Sequence, residues 1–236
     1  MGDAITSFEY ISGGSLQFVL DNITSTKHPF GDGCAHYALV EISGFEPFDS
    51  FSEKCTGALA YAEEQGLLDD AVIAQSENDA VELWRLRESI PRAEKLLGGS
   101  IKHDVSVSVS RVSDVISTAS KAVLAIEPRA RLSIYGHVGD GNVHFNILPP
   151  DSTNLQAFKE QCGEQISMAV HDVADKLNGS FSAEHGVGQL KTGELERYSS
   201  TTRIALMNTI KHALDPLRLM NPGKILDGSA GKGPSG

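Results

Sequence analysis

The stretch Tyr135-Gly-His-Val-Gly-Asp-Gly-Asn-Val-His-Phe-Asn146 predicts a β-hairpin. Residues 132–138 and 143–148 are rich in β-forming side chains, and the tetrapeptide Gly139-Asp-Gly-Asn142 between them is typical of a turn. Glycine is dense in this stretch, and a glycine backbone can turn tightly and approach a ligand closely. Because histidines stand among these glycines, the hairpin is a candidate binding site as well as a folding unit.

The centre of the turn sets the expected register of the hairpin. With the centre between Asp140 and Gly141, His137 lies opposite His144, and the Cβ atoms of such opposed residues are roughly 5 Å apart. Both histidines are then within reach of one metal ion. Side-chain alternation gives one polar face and one apolar face, and we expect the apolar face to lie on helices. The polar face carries Tyr135, His137, His144 and Asn146, and the apolar face carries Ile134, Val138, Val143, Phe145 and Ile147.

A second glycine-rich stretch, Ser182-Ala-Glu-His-Gly-Val-Gly-Gln189, adds a carboxylate and a further histidine. Glu184 supplies an anionic ligand, and two histidines with one glutamate and an open position suit zinc or another borderline divalent ion. If the chain is extended here, His185 points away from Glu184 and is free to act as a base. An alternative is that the hairpin histidines only form hydrogen bonds within an exposed sheet.

Composition limits the class of protein and its partners. The 236 residues suffice for one large domain or two small ones, and the formal net charge of −11 argues against nucleic acid and anionic membranes as partners. No run of about 18 apolar residues predicts a transmembrane helix, and the N-terminus lacks the pattern of a signal peptide. The cysteines Cys34, Cys55 and Cys162 are predicted to be free thiols in a reducing compartment, so we expect a cytoplasmic location.

Helices and short strands are predicted to alternate along the chain, which favours an α+β fold with helices over one face of an antiparallel sheet. The alternation of valine and serine predicts a strand over residues 101–109. The expected helices are Phe48–Gln65, a helix capped by Ser76 that runs through Trp84 towards Leu97 with a break at Pro91, a helix capped by Ser113 that ends near Ile126, Asn154–Leu177 and Thr201–Leu214. The segment Met220–Leu226 is expected to be extended, and Gly228–Gly236 is expected to be a flexible tail.

The two glycine-rich stretches closely resemble those of the C-terminal domain of FAD-linked oxidases of the vanillyl-alcohol oxidase type. Shorter matches occur at Leu83-Trp-Arg-Leu-Arg-Glu88, Lys102-His-Asp-Val-Ser106 and Asn221-Pro-Gly-Lys-Ile-Leu226. The most similar branch contains the D-2-hydroxyacid dehydrogenases, which act on D-lactate, D-2-hydroxyglutarate or glycolate. The resemblance covers about residues 37–227. It implies a ferredoxin-like α+β cap domain over residues 1–227, with an antiparallel sheet covered by helices, C-terminal helices and a return segment.

The resemblance also implies a role for each matched side chain in oxidising a D-2-hydroxyacid to the 2-oxoacid by hydride transfer to FAD. His185 matches the catalytic base, and His137, His144 and Glu184 match ligands of a divalent metal, with zinc, manganese or cobalt as candidates. Arg87, Lys102 and Asn142 match substrate-binding residues, and Glu184 and Asn221 match residues on the flavin side of the site. Asp104 and Asp140 are expected to serve the strand entry and the turn, and His103 is a lesser candidate for the pocket.

No glycine-rich FAD-binding segment precedes these motifs, so we expect the FAD-binding domain to be absent from this chain. The chain is then the substrate-binding part of a larger flavoenzyme, as an excised domain or a separate subunit. Its expected partners are a small 2-hydroxyacid and the FAD-binding domain, with an electron acceptor that the sequence does not identify. We also expect an exposed apolar surface and self-association, with a homodimer as one form. Two alternatives stay open, namely a free-standing zinc hydrolase and a non-catalytic ligand-binding domain.

Overall fold

A computed structural model gives the structure of the chain and describes residues 4–31, 33–44 and 48–226. Within these residues, five strands form one sheet in which every neighbouring pair is antiparallel. The strands are β1 (Ile5–Ser12), β2 (His36–Ile42), β3 (Asp104–Ser106), β4 (Arg131–His137) and β5 (Asn142–Leu148). Their order across the sheet is β2-β1-β4-β5-β3, so β1, from the start of the chain, lies beside the hairpin strand β4.

Helices make up the rest of the regular structure. They are α1 (Gly13–Asn22), α2 (Phe48–Glu64), α3 (Glu77–Glu88), α4 (Ile90–Leu96), α5 (Val112–Ile126), α6 (Leu155–Phe158), α7 (Glu164–Lys176), α8 (Thr192–Tyr198) and α9 (Thr201–Leu214). A π-helical stretch, Lys159–Gly163, joins α6 to α7. The predicted α+β cap fold with an antiparallel sheet is confirmed. No helix in the described part of the chain has both the length and the apolar character needed to cross a membrane.

The sheet is covered by helices on both faces, whereas the sequence predicted one. On the first face, α5 and α7 pack against the apolar side of the hairpin, as predicted, and bury Ile134, Val143, Phe145 and Ile147. On the second face, α1, α3 and α4 pack against β1 and β4, where Ile11, Leu16, Ile90 and Tyr135 form a separate core. The second layer exists because β1 widens the sheet and places Ile11 directly beside Tyr135, which makes an apolar patch on the otherwise polar face.

The hairpin forms where it was predicted, but its register differs by two residues. His144 lies opposite Tyr135 and not opposite His137. The connection is longer than a tight turn because Val138–Asp140 forms a 3-10 turn and Gly141 adopts a left-handed φ of +78°. A shift of two residues preserves the alternation of side chains, so His137 and His144 still share the polar face.

The helix predictions are largely confirmed, with one wrong cap. The Ser76 side chain accepts a hydrogen bond from the amide of Asp79 at the start of α3, and the chain breaks between α3 and α4 next to Pro91. Ser113 does not cap α5, because the helix begins one residue earlier at Val112. In addition, α1 and α8 were not predicted.

Two segments predicted to be extended are shorter or bent. The strand over residues 101–109 reduces to β3 with a bridge at Ile101, because the chain turns into a 3-10 helix at Val109 once the partner strand β5 ends. The Met220–Leu226 segment is not extended, since Asn221, Gly223 and Ile225 all have positive φ. The tail predicted at residues 228–236 lies outside the described residues.

Gly141 is the position at which the hairpin register can be tested. A Cβ atom there would lie 1.9 Å from the carbonyl oxygen of Val107, and its φ of +78° disfavours any other residue. We therefore expect Gly141→Ala to lower the free energy of unfolding by more than about 2 kcal/mol, measured by urea denaturation. Gly139→Ala is the matched control, because a Cβ atom at that position of the same turn meets nothing within 4 Å. Equal stability of the two variants would contradict this account of the turn.

Candidate active site

Three side chains on the polar face form a group that can hold a metal ion. His137, His144 and Glu184 each offer one ligand atom, and these atoms lie within 4.8 Å of one another. Nε2 of His137 is 3.7 Å from Oε1 of Glu184, and Nε2 of His144 is 3.8 Å from Oε2. Two imidazole nitrogens and a carboxylate converge from the end of β4, from β5 and from the loop after α7. The sequence-predicted cluster is therefore assembled in the fold.

Asp104 fixes the loop that carries Glu184. This residue is fully buried in β3, and its Oδ2 accepts hydrogen bonds from the backbone amides of Glu184 (2.7 Å) and His185 (2.8 Å). Its Oδ1 accepts a third bond from the Asn142 side chain and lies 3.6 Å from Nδ1 of His144, the residue opposite it on β5. The sequence predicted Asp104 only as a residue at the start of a strand. Asp104 instead holds the second glycine-rich stretch against the first.

The hydrogen bonds at Asp104 keep its carboxyl group ionised. Burial alone would raise the pKa of Asp104, but the amides of His185 and Glu184 and the side chain of Asn142 outweigh burial and lower the pKa. The negative charge can then face the positively polarised side of His144 and His185. A charged carboxylate with this many donors is a rigid anchor, because each bond is charge-assisted.

His185 lies beside the metal-ligand group and does not point away from it. Its ring stacks on that of His144 at 6.0 Å between centroids, and its Nδ1 is 3.6 Å from Oδ2 of Asp104. The chain at residues 184 and 185 is not extended as predicted, because the backbone amides of both residues donate to the same oxygen, Oδ2 of Asp104. About half of the His185 side chain is exposed, so its Nε2 remains open to a ligand.

His144 is neutral in this setting. Burial lowers the pKa of His144, while the carboxylates of Asp104 and Glu184 raise it to a smaller extent. The net direction is downward, so near pH 7 the imidazole carries a lone pair on one ring nitrogen. A neutral imidazole is the form that binds metal ions.

Arg87 lies close to this group and is buried, unlike a solvated arginine on a helix surface. It lies in the last turn of α3 with 8% of its surface exposed, and its Nε donates a 2.8 Å hydrogen bond to Glu9. The guanidinium sits 4.6 Å above the Tyr135 ring, which in turn lies 5.1 Å from the His144 ring. Among the described residues, neither Nη atom has a hydrogen-bond partner, so both remain available to a carboxylate ligand.

Glu9 and Asp104 are functional candidates that sequence reasoning missed. Glu9 is 1% exposed in β1, and besides Arg87 it contacts Nδ1 of His137 at 2.6 Å. The available signal was a charged residue inside an apolar strand, between Phe8 and Tyr10. That signal does not name a partner, because His137 is far away along the sequence.

The other predicted residues have weaker positions. Lys102 is exposed beside the start of β3, and Asn221 is exposed in the bent return segment. Asn142 is buried and donates to Asp104, while its Oδ1 has no hydrogen-bond partner among the described residues. The substrate roles of Lys102 and Asn142 and the flavin role of Asn221 stay predictions.

His103 is not part of the pocket. It is 2% exposed and is bound to the carbonyl of Phe145 and to the side chain of Ser167 on α7, so it belongs to the helix-covered first face. Burial lowers the pKa of His103 to about 3, and the neighbouring His171 adds to this effect. The ring is therefore neutral at physiological pH and has a structural role.

Comparison with known proteins identifies relatives of the chain. A family model described as FAD linked oxidases, C-terminal domain, matches residues 1–225. The chain is 36% identical over 222 residues to a D-2-hydroxyglutarate dehydrogenase of Stutzerimonas stutzeri and 34% identical over 223 residues to that of Xanthomonas citri pv. viticola, covering 94% of the chain in each case. It is 32% identical over 226 residues, or 96% of its length, to a mitochondrial D-2-hydroxyglutarate dehydrogenase of Arabidopsis thaliana. The chain spans only 47%, 46% and 39% of these three relatives.

The anchoring role of Asp104 gives a prediction for Asp104→Asn. The side-chain NH2 group of the new asparagine would face hydrogen-bond donors that Asp104 now accepts from. We therefore expect the loop that carries Glu184 to become less ordered and the free energy of unfolding to fall by about 1–3 kcal/mol. Hydrogen exchange at the amides of Glu184 and His185 should become markedly faster.

The matched control for this variant is Asp140→Asn. Asp140 is an exposed aspartate of the neighbouring turn, and among the described residues its side chain accepts a hydrogen bond from the Asn142 backbone amide alone. Unchanged exchange at residues 184 and 185 in Asp104→Asn, with Asp140→Asn as the baseline, would show that Asp104 does not hold the loop.

Proposed function

Since the chain belongs to the family of C-terminal domains of FAD linked oxidases, we propose that it forms the substrate- and metal-binding part of an FAD-dependent dehydrogenase of D-2-hydroxyacids. The observation that carries the proposal is the meeting of Arg87, His185 and the His137, His144 and Glu184 group on one face of the sheet. These side chains supply an arginine that can bind a substrate carboxylate, a base and a site for a divalent ion. All three can act next to the reacting carbon of a 2-hydroxyacid.

The donor set fits a divalent metal ion. Two imidazole nitrogens and one carboxylate oxygen within 4.8 Å of one another can close on a single ion, with positions left for a substrate oxygen. Each ring presents Nε2 to the group, because a buried carboxylate lies against each Nδ1. Zinc, manganese and cobalt all tolerate such ligands, and zinc is our first candidate.

The side chains divide the chemistry among them. When bound, the divalent ion lowers the pKa of the substrate hydroxyl and FAD accepts the hydride. Arg87 holds the substrate carboxylate through its two Nη atoms, which fixes the Cα–H bond in one direction. His185 takes the hydroxyl proton on Nε2, since its Nδ1 faces Asp104.

D-2-hydroxyglutarate is the substrate that we propose first. The relatives named above are D-2-hydroxyglutarate dehydrogenases, whereas D-lactate and glycolate enter through the wider resemblance. A dicarboxylate can pair with two cationic side chains. Arg87 would bind the first carboxylate, and the exposed Lys102 beside β3 is the candidate for the second. On a chain with a net charge of −11, local cations of this kind are necessary to attract an anionic substrate.

The FAD-binding domain is the partner that we propose for the apolar side of α9. Leu206, Ile210 and Leu214 are spaced by four residues on one side of this helix, and each is more than half exposed. The following segment is tied to the second glycine-rich stretch, since the amide of Ile225 donates to the carbonyl of Gly188 at 2.7 Å. A domain that covered α9 would thus lie next to the second glycine-rich stretch, which carries Glu184 and His185. The homodimer and the cytoplasmic location stay predictions.

The metal site is tested first by metal content. We expect inductively coupled plasma mass spectrometry to find about one divalent ion per chain after loading with zinc or manganese. The His137→Ala/His144→Ala variant should lose it, because only the Glu184 ligand remains. The control is His36→Ala, which removes a histidine of the edge strand β2 that contacts Tyr10. Equal metal content in the two variants would refute the site.

Catalysis is tested by joining the chain to the remainder of a relative. We would replace the matched segment of the Xanthomonas citri enzyme with this chain and measure dye reduction with D-2-hydroxyglutarate, D-lactate and glycolate. His185→Gln is expected to lower kcat by about 100- to 10,000-fold, because the hydroxyl proton loses its acceptor, while His36→Gln should not change it. Full activity of the His185→Gln chimaera would rule out the proposed base.

A further inference from the structure

We propose that Glu9 is a positioning residue that links His137, a proposed metal ligand, to Arg87, the proposed binding residue for the substrate carboxylate. This inference rests on the proposed function and adds to it a residue in β1, outside both glycine-rich stretches. One carboxylate group contacts both partners, Oε1 at 2.6 Å from Nδ1 of His137 and Oε2 at 2.8 Å from Nε of Arg87. It therefore sets the distance between the metal site and the substrate carboxylate.

The sheet itself holds Glu9 in place. Glu9 lies directly opposite His137 in the antiparallel pairing of β1 with β4, so the two side chains project from the same face. Glu9 is 1% exposed, and its two carboxylate oxygens are held by Arg87 on α3 and His137 on β4. A rigid strand and a buried side chain give the precision that a supporting residue needs.

The contact with Glu9 also selects the tautomer of His137. A carboxylate oxygen accepts hydrogen bonds, so the 2.6 Å contact with Oε1 of Glu9 favours the tautomer of His137 that carries its proton on Nδ1. Nε2 then presents its lone pair, and Nε2 is the atom that faces Glu184 at 3.7 Å. Carboxylate partners of this kind are common behind metal-bound histidines, and their loss typically costs about 10- to 100-fold in metal affinity.

The contact with Arg87 leaves the useful end of the guanidinium free. Glu9 takes the Nε–H, and the Tyr135 ring supports the guanidinium plane from one side at 4.6 Å. The two Nη groups are left as a fork for a ligand carboxylate. An ion pair with only a structural role would more often involve the two Nη groups, because bidentate pairing with a carboxylate is the stronger arrangement.

The test compares Glu9→Gln with Glu127→Gln in the 236-residue chain. Glu127 is a matched control, because it is another largely buried carboxylate that binds an arginine Nε, and it precedes β4 at the end opposite to His137. Titration with Co²⁺, followed by its visible absorption, should show about 10- to 100-fold weaker binding for Glu9→Gln and no change for Glu127→Gln.

A second readout needs no metal and no activity. In nitrogen-15 spectra of the metal-free chain, His137, identified by the loss of its signals in His137→Ala, should be the Nδ1–H tautomer. In Glu9→Gln the amide can donate to Nδ1, so we expect a shift towards the Nε2–H tautomer. If Glu9→Gln does not fold, Glu9→Asp keeps a carboxylate on a side chain shorter by one methylene, which is too short to contact both partners, and the same changes are expected in reduced size.

The outcomes separate this inference from the proposed function. Unchanged Co²⁺ affinity and an unchanged His137 tautomer in the Glu9 variants would overturn the positioning role, even where the wild-type chain binds the metal. Failure of the wild-type chain to bind Co²⁺ would instead count against the proposed metal site. In that case, the tautomer measurement still decides whether Glu9 orients His137.

Discussion

The site depends on two cross-strand contacts, each between a buried carboxylate and a histidine on the neighbouring strand. Glu9 faces His137 across β1 and β4, and Asp104 faces His144 across β3 and β5. A buried charge without partners destabilises a fold by several kcal/mol, so these carboxylates require the histidines and amides around them. The same contacts orient both rings. Folding stability and site geometry are therefore coupled through the pairing of four strands.

The register of the sheet consequently decides whether a site exists at all. A slip of one residue in β4 would turn His137 to the face covered by α5 and α7 and would remove its contact with Glu9. The long turn that ends at Gly141 prevents this slip, because the carbonyl of Gly141 accepts a hydrogen bond from Val107 and no side chain fits there. The glycines of the first stretch thus act through the sheet register as well as through access to a ligand.

The sequence predicted the components of the site better than their arrangement. The polar face of the hairpin was correct although the register was not, because an error of two residues keeps the side-chain alternation. The convergence of Glu184 on the histidines was also predicted. Glu9 and Asp104 were missed because their partners lie far along the chain, and no local pattern reports a long-range strand pairing. The position of His185 was missed for the same reason, since Asp104 bends the loop that carries it.

Charge balance connects the supporting residues to the proposed chemistry. Three carboxylates, from Glu9, Asp104 and Glu184, contact or approach the histidines, and Arg87 offsets only one of them. A divalent cation at the histidines would neutralise the other two, which a monovalent ion would not. The terminal amino groups of Arg87 could then attract a carboxylate without strong repulsion from its surroundings. If the proposed function holds, the carboxylates that orient the histidines would also make carboxylate binding at Arg87 depend on the divalent ion.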